Sequence, residues 1–390
     1  CERPGGSRHR LSRWHTIAVD SRIPCKRDTR RPWSCSWNPE NPKETWVMVA
    51  EKAWAKLFGS YNALDGGFPS DTMVYLTGGW RKALKWDPGQ TSQMELDKIW
   101  NDAAGALKQA SHDTPVFISG CILMSKSSSL EGMSHTQAQQ QFGLGGDHAY
   151  SILAMEDIGG GTRLVKVRNP WGQVEWSQEW GDNDPRWTPE LRQRLDMPPG
   201  AVDDGTYCME WNTFTKFFCM LGVVRCFNPT WPHVCLKGAF GPEQPGQANR
   251  SQTKITLRNT QSKVYLQLEQ CDTRKLTYEG EPELRALLVL IVDAQGQKVH
   301  QSEFEVVRTL GIDVDLDPSR GPYEVQVYHQ PIPDPPRVHP DNSFYLSAWS
   351  QGDISLEDPS NPNALIPQQH ISPQQLQEMD QAGQQAEAQE

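Results

Sequence analysis

The sequence lacks long apolar runs and paired-cysteine motifs. No apolar stretch reaches the roughly 18 residues that a membrane-spanning helix needs, and the run ALLVLIV at 286–292 predicts a buried strand instead. Nine cysteines are scattered over 390 residues, and no CxxC pair occurs. Neither a disulfide framework nor a zinc site is therefore indicated, and a reducing compartment, the cytoplasm, is the expected location.

Positive charge is scarce beyond the start of the chain. The net charge is −10, yet residues 1–31 carry nine Lys and Arg against three acidic residues. The rest of the chain is therefore strongly acidic, which argues against nucleic-acid binding and is compatible with calcium ligation. Residues 1–12 follow no regular pattern and are interpreted as an atypical basic leader.

Several segments in the first third of the chain carry secondary-structure signals. Apolar and polar residues alternate over 13–24, which predicts a strand. Apolar residues recur at helical spacing over 46–57, and Gly59 ends that helix. A capping box that begins at Ser92 starts a second helix, and the apolar run at 115–123 predicts a further strand.

A β-hairpin is predicted where two apolar, β-rich runs flank three glycines. The runs are 148–158 and 162–170, and the glycines lie between them. With the turn centred near residue 160, position 148 faces about position 172 on the returning strand. Asn169 then lies within diagonal reach of His148, so the spacing alone predicts that the two side chains are neighbours.

A histidine next to an asparagine suits cysteine-nucleophile chemistry. The imidazole keeps the thiol as a thiolate and later protonates the leaving amine, while a polar third residue orients the ring. Asn169 can orient His148 without adding charge, and Trp171 can cover their hydrogen bond and exclude water. Each residue also has an ordinary interpretation: His148 as a hydrogen-bonded core residue, and the Asn-Pro pair as a turn.

The second half of the chain is predicted to be all β. A Pro- and Gly-rich linker is expected at 229–250. Turn-separated, strand-like segments then predict a β-sandwich over 251–352. They lie at 253–259, 263–270, 284–294, 323–329 and 343–350. Residues 353–390 are predicted as a Gln-rich disordered tail, because 368–390 holds nine Gln and four acidic residues without a Lys or Arg.

Four blocks stand in order along the first half of the chain: EKAWAKLFGSYNALDGG (51–67), YLTGGW (75–80), GDHAYSIL (146–153) and VRNPWGQVEW (167–176). Together they resemble the protease core of the calpains, calcium-dependent cysteine endopeptidases with a papain-like arrangement. The resemblance implies an α+β fold. In it, a papain-like core that lacks its N-terminal part precedes an all-β, C2-like sandwich. Residues 13–109 would be a partial first half of the core, and residues 110–228 the second half.

The resemblance also implies roles for individual residues. His148 would be the catalytic base and Asn169 its orienting partner, with Trp171 in support. Asp147 is a departure, since calpains usually have Gly there. Its carboxylate would either raise the pKa of His148 or point to solvent.

Calcium is the implied cofactor, with ligands in each half of the core. Glu44 matches the carboxylate of the first half, while Glu175, Asp182 and Asp204 match three in the second half. Thr206 stands where calpains commonly place another acidic ligand, so a weaker second site is expected. Acidic residues in loops are otherwise simply solvated.

The nucleophile is the missing part. The resemblance calls for a cysteine in a Gly-x-Cys-Trp context at the start of a helix, and the sequence holds no such block. Cys1 lies 147 positions before His148, a typical spacing, but its surroundings have no apolar helical face. Cys25 and Cys35 lie in loops and Cys121 on a strand. Together with the non-Met start, this leads to the expectation that the natural product has more chain upstream.

The implied activity is limited proteolysis of intracellular proteins. The alternative is a catalytically inactive, calcium-responsive binding or scaffold protein on the same fold, which the retained carboxylates permit. A transglutaminase-like acyl transferase is disfavoured, because that chemistry prefers Asp in the place of Asn169. Protein substrates are the expected partners and nucleic acid is not. Contact of the sandwich with a membrane or lipid, and the oligomeric state, are left open.

Overall fold

The computed structural model describes most of the chain. It covers residues 17–38, 41–64, 66–127, 129–200, 204–228, 230–242, 248–270, 284–330 and 342–366. The basic leader, Cys1 and the tail from residue 367 onward lie outside the described residues.

The fold is mixed α and β. The helices are α1 (Trp46–Phe58), α2 (Pro69–Thr77), α3 (Gln93–Lys108), α4 (His135–Phe142), α5 (Pro189–Leu195) and α6 (Trp211–Phe217). The helix predicted over 46–57 is confirmed as α1 and ends at Gly59, whose φ of 97° suits glycine. The second predicted helix is confirmed as α3, with the capping box of Ser92 and Glu95 in place. Within the described residues, no helix is both long and apolar enough to cross a membrane.

An antiparallel sheet forms the centre of the first half of the chain. Its strands are β1 (Trp80–Lys85), β2 (Val116–Ile122), β3 (His148–Gly159), β4 (Thr162–Arg168), β5 (Thr206–Glu210) and β6 (Met220–Arg225), in the order β1-β6-β2-β3-β4-β5. The predicted strand at 115–123 is confirmed as β2, and the predicted hairpin as β3 and β4. Helices α3 and α6 lie against this sheet, and buried aromatic rings of Trp100, Trp211 and Phe214 fill the space between them.

The strand predicted over 13–24 is wrong for its described part. Residues 17–24 form no strand, and two lysines of α1 donate to carbonyls of this segment. Lys52 donates to the carbonyl of Arg22 at 2.7 Å, and Lys56 donates to that of Ala18. Side-chain ammonium groups therefore take the place of a strand partner.

Two antiparallel sheets follow the first. Their strands are β7 (His233–Ala239), β8 (Asn249–Arg250), β9 (Ile255–Asn259), β10 (Lys263–Gln270), β11 (Ala286–Val292), β12 (Lys298–Gln301), β13 (Glu305–Val306), β14 (Thr309–Asp315), β15 (Tyr323–Gln330), β16 (Ser343–Trp349) and β17 (Ile354–Glu357). One sheet has the order β14-β10-β16-β7, and the other β12-β11-β15-β9-β17, with the short β13 on β11 and β8 on β15. Leu266, Val289, Val325 and Phe344 belong to the apolar core that the two sheets share. All five predicted strand segments are found.

Two of the expected boundaries differ in the structure. The predicted linker 229–250 contains β7, whose Cys235 and Leu236 are buried in spite of the surrounding Pro and Gly. The predicted tail begins at 353, yet β17 pairs with β9 and buries Ile354 and Leu356. In both places pairing to an existing sheet overrides local composition.

The outer edge of β1 lies against the β14-β10 sheet. The Trp80 indole donates to the Leu266 carbonyl, and the Arg81 main-chain N–H donates to Gln267 Oε1, both at 2.8 Å. Lys82 forms an ion pair with Asp313 at 2.7 Å. These contacts join the first half of the chain to the sheets that follow it.

Gly311 makes this approach sterically feasible, because a Cβ there would lie 1.6 Å from the carbonyl oxygen of Arg81. We expect Gly311→Ala to lower the free energy of unfolding by about 1–3 kcal/mol, since the two main chains must move apart. Gly105→Ala is the matched control. Gly105 lies in α3 with open space where a Cβ would go, so that change should stabilise by roughly 0.5–1 kcal/mol. Urea unfolding of both variants measures the difference. Equal stabilities would contradict the close contact between β1 and β14.

Candidate active site

The β3–β4 hairpin brings His148 and Asn169 together. His148 is the first residue of β3, and Asn169 directly follows β4. Ser151 pairs with Arg168 at this end of the ladder, and a register shift lies just beyond Ile152. The His148 Nε2 and Asn169 Oδ1 atoms are 3.0 Å apart. The predicted adjacency of the two side chains is confirmed.

The loop after β4 fixes the orientation of the Asn169 amide. Its Nδ2 donates to the carbonyls of Gln173 and Val174, at 2.9 and 3.1 Å. An atom that faces two carbonyl oxygens must be the nitrogen, so Oδ1 is the atom that faces His148. Nε2 of His148 therefore carries the proton and donates to Oδ1. Nδ1 is left with the lone pair, as a general base requires.

Trp171 covers one face of the imidazole. Its ring stacks on His148 with the centroids 4.1 Å apart and the planes 26° apart, and its main-chain N–H donates to Asn169 Oδ1 at 3.1 Å. Asn169 is fully buried, whereas Trp171 remains half exposed. The indole thus stacks on the imidazole ring, and its exclusion of water from the His148–Asn169 hydrogen bond stays a prediction.

Tyr150 is a positioning residue that sequence reasoning missed. Its hydroxyl accepts from the Gly145 N–H at 2.7 Å and donates to the Gly145 carbonyl at 3.2 Å. Its ring packs edge-on against His148, with the centroids 4.9 Å apart. The sequence contained a signal for this role, because Tyr150 lies two residues after His148 and residues two apart on a strand share a face. Tyr150 therefore fixes the turn that leads into His148.

Burial lowers the pKa of His148, and the hydrogen bond to Asn169 opposes this shift. The imidazole is accordingly neutral near pH 7 and can accept a proton. Asp147 has a φ of 45°, in the left-handed region where glycine is usual. Its carboxylate accepts from the Met124 N–H at 2.9 Å and lies 3.7 Å from His135. The Asp147 side chain is nonetheless about half exposed, which agrees with the expectation that it points to solvent.

The described cysteines differ sharply in exposure. Cys25 and Cys35 are exposed in the segment before α1, while Cys121 is buried on β2. Cys121 pairs with Ala149, the neighbour of His148, but burial raises the pKa of its thiol to about 12. Such a thiol is protonated and inert. Among the described residues, no hydrogen bond joins a cysteine to His148.

Two of the predicted calcium ligands, Glu175 and Asp204, accept main-chain hydrogen bonds from the loop before β5 and the first residue of β5. Glu175 Oε1 accepts from the N–H groups of Asp204 and Gly205, at 2.7 and 2.6 Å. Asp204 Oδ1 accepts from the Thr206 N–H at 2.7 Å. The structure therefore brings Glu175 to the loop of Asp204, through main-chain contacts.

The other two predicted ligands lie in separate surroundings. Asp182 is buried, and its carbonyl accepts from Arg192 at 2.6 Å. Glu44 precedes α1 and accepts from the Asn38 amide at 3.0 Å. Within the described ranges, no group of three or more His, Cys, Asp or Glu side chains could hold a metal ion. The structure therefore does not gather three of the predicted carboxylate ligands into one group within the described residues.

Comparison with known proteins identifies relatives of the first half of the chain. The profile of the family described as "Calpain family cysteine protease" matches residues 8–225. The calpain-type cysteine protease DEK1 of Zea mays is 33% identical over 218 residues, which are 55% of this chain and 9% of that protein. Calpain-9 of Homo sapiens is 32% identical over 213 residues, 53% of this chain and 28% of that protein.

A longer alignment is found with Calpain-5 of Mus musculus. It is 26% identical over 313 residues, 71% of this chain and 47% of that protein. The chain spans less than half the length of each of these relatives. Among solved structures, the VP2 protein of infectious bursal disease virus aligns with a TM-score of 0.15 and 9% identity, over 70% of this chain and 67% of that one. No structural relationship follows from a score that low.

The hydrogen bond between His148 and Asn169 can be tested by titration. Asn169→Ala removes the acceptor that favours the protonated ring, so the pKa of His148 should fall further below its ordinary value. NMR titration of the imidazole measures this. Asn212→Ala, an exposed asparagine at the start of α6, should leave the pKa of His148 unchanged. A rise in the pKa of His148 in Asn169→Ala would contradict the assigned bond.

Proposed function

The chain belongs to the calpain family of cysteine proteases, and we propose that His148 and Asn169 are the base and the orienting residue of a cysteine-type endopeptidase. One observation supports this above the others: the Asn169 amide is oriented by two carbonyls so that its oxygen meets Nε2 of His148. That arrangement selects the imidazole tautomer whose Nδ1 accepts a proton.

In the proposed mechanism the imidazole works through Nδ1. It takes the proton of a cysteine thiol, and the resulting thiolate attacks the peptide carbonyl. The imidazolium then protonates the leaving amine, and a water molecule that is deprotonated at Nδ1 hydrolyses the resulting thioester, which releases the acid and regenerates the thiol. Asn169 holds the ring through Nε2 in both steps, and Trp171 excludes water from that bond. The described cysteines do not supply the thiol, so the proposal requires a Gly-x-Cys-Trp segment that this sequence does not contain.

Protein substrates follow from the family, and we propose limited proteolysis of intracellular proteins as the activity. We further propose that the two halves of the core meet before β1 and not between residues 109 and 110, as the division into 13–109 and 110–228 expected, because β1 pairs with β6 and α3 packs against β2, β3 and β6 of the same sheet. The antiparallel sheets from β7 to β17 would then be the C2-like sandwich. The alignment with Calpain-5 supports this extension, because 313 aligned residues cannot fit within the first 228. Contact of these sheets with a membrane or lipid stays an open question.

Calcium enters the proposal only as an effector typical of the family. A calcium ion bound by Glu175, Asp182 and Asp204 would bring oxygen-rich loops together. The described residues are not arranged to hold one, and we derive no catalytic step through calcium. Glu44 is likewise kept as a candidate ligand and no more.

The proposed role of His148 can be tested by restoring a nucleophile. A calpain segment that carries the Gly-x-Cys-Trp block would be joined upstream of Arg13, and cleavage of a fluorogenic peptide measured. His148→Ala should lower turnover by on the order of 10²–10⁴, the usual contribution of a general acid–base. His112→Ala, a fully exposed histidine in a loop, is the matched control and should leave turnover unchanged.

Two results would contradict the proposal. Equal turnover in His148→Ala and the unsubstituted chimera would remove the assigned role. A folded chimera with a reactive thiol and no turnover would instead favour the inactive binding protein.

A further inference from the structure

We propose that Glu175 is a positioning residue that holds Asn169, and through it His148, by accepting main-chain hydrogen bonds without a bound cation. The inference rests on the proposed function, because it assigns Glu175 to the same site. It departs from the family resemblance, which implies calcium ligation for this residue. A closed path of contacts connects Glu175 with Asn169.

The first contact is between Glu175 and the loop before β5. One carboxylate oxygen, Oε1, accepts from two successive N–H groups, those of Asp204 and Gly205, at 2.7 and 2.6 Å. Hydrogen bonds to an ionised acceptor are short and stronger than neutral ones. Two of them on one oxygen fix the loop relative to Glu175.

The second contact is between that loop and the main chain of Asn169. The Asn169 N–H donates to the Gly205 carbonyl at 2.7 Å. A Cβ at Gly205 would lie 2.7 Å from the Asn169 carbonyl oxygen and 3.0 Å from the Cα of Gly172. Gly205 also has a φ of 83°, so both its conformation and the close approach require glycine. Gly205 is therefore in direct contact with the main chain that carries the Asn169 side chain.

The third contact closes the path through the loop after β4. The Asn169 side chain donates to the carbonyls of Gln173 and Val174. Glu175 directly follows Val174, so its carboxylate anchors the end of the loop that grips the Asn169 amide. A Cβ at Gly143 would lie 1.6 Å from the Glu175 carbonyl oxygen, which leaves the Glu175 main chain little room to move. Asn169 is thus held at its main chain and at its side chain by groups that Glu175 fixes.

A cation on Oε1 of Glu175 would have to compete with these contacts. Oε1 of Glu175 already has two donors, and Asp204 Oδ1 accepts from Thr206. The Arg168 guanidinium donates to the Thr206 hydroxyl at 3.3 Å, which brings a positive charge to the residue where the family commonly has an acidic ligand. The repulsion between this guanidinium and a calcium ion opposes binding. The hydrogen bonds around Asn169 are complete without an ion.

The experiment separates the acceptor role of Glu175 from its charge. Glu175→Gln keeps an acceptor oxygen but loses the charge that calcium needs, while Glu175→Leu loses both. The full chain is labelled with ¹⁵N-histidine, and the Nε2–H signal of His148 is identified by its loss in His148→Gln. Solvent exchange of that proton is measured in EGTA and in calcium. Glu179→Leu, an exposed glutamate four residues along the same segment, is the matched control.

The expected result is a protected Nε2–H in the unsubstituted chain in EGTA, unchanged by calcium. This proton should stay protected in Glu175→Gln and Glu179→Leu. In Glu175→Leu it should exchange with solvent roughly 10- to 100-fold faster, because two buried N–H groups lose their acceptor. A purely structural loss of stability would not single out this one proton. Protection of β10 amides, measured in the same sample, shows whether Glu175→Leu has folded.

Other results overturn the inference in distinguishable ways. An unprotected Nε2–H in the unsubstituted chain under both conditions would refute the pairing and the proposed function with it. A protected signal that Glu175→Leu leaves unchanged would refute only the inference. Protection that appears only with calcium, or that Glu175→Gln abolishes as fully as Glu175→Leu, would make Glu175 a cation ligand. If Glu175→Leu does not fold, Glu175→Ala, which also removes the acceptor, takes its place.

Discussion

Antiparallel pairing of β3 with β4 is the constraint on which both the candidate site and the core around it depend. The turn between the strands is made by Gly159, Gly160 and Gly161, all with positive φ, a conformation that other residues adopt only under strain. Once the turn is fixed, the period of two along a strand decides which residues meet. His148 and Asn169 meet at the open end of the ladder, and Val165 and Val167 are buried farther along it.

Burial and hydrogen bonding act on the imidazole in opposite directions. Burial favours the neutral ring, and Asn169 favours a proton on Nε2. The outcome is a neutral imidazole of a single tautomer, with its orientation set by Trp171 on one face and Tyr150 at its edge. Such preorganisation removes the need to reorient the base during a reaction, which is where much of the catalytic effect of an enzyme arises.

Much of this arrangement could be predicted from the sequence, and the reasons are local. Helix α3 carries its own capping box, and the hairpin carries its own turn, so no distant residue is needed to define either. β7 could not be predicted, because its partner β16 is distant in sequence. β17 could not be predicted, because its pairing with β9 overrides a polar local composition. The segment 17–24 has a strand pattern, but Lys52 and Lys56 of α1 satisfy some of its carbonyls.

The pairing of His148 with Asn169 could be predicted from spacing. The main-chain role of the Glu175 carboxylate could not, because it depends on a loop some thirty residues away.

The contact between β1 and the sheets that follow it limits where the polypeptide can be cut into fragments. β1 is the last strand of its sheet, and its outward N–H at Arg81 is satisfied by the Gln267 side chain. An unpaired strand at the rim of a sheet is a template for self-association. A fragment that ends near residue 228 exposes this rim together with Trp80. The sheets from β7 onward thus cover, within the same polypeptide, the edge strand of the first sheet.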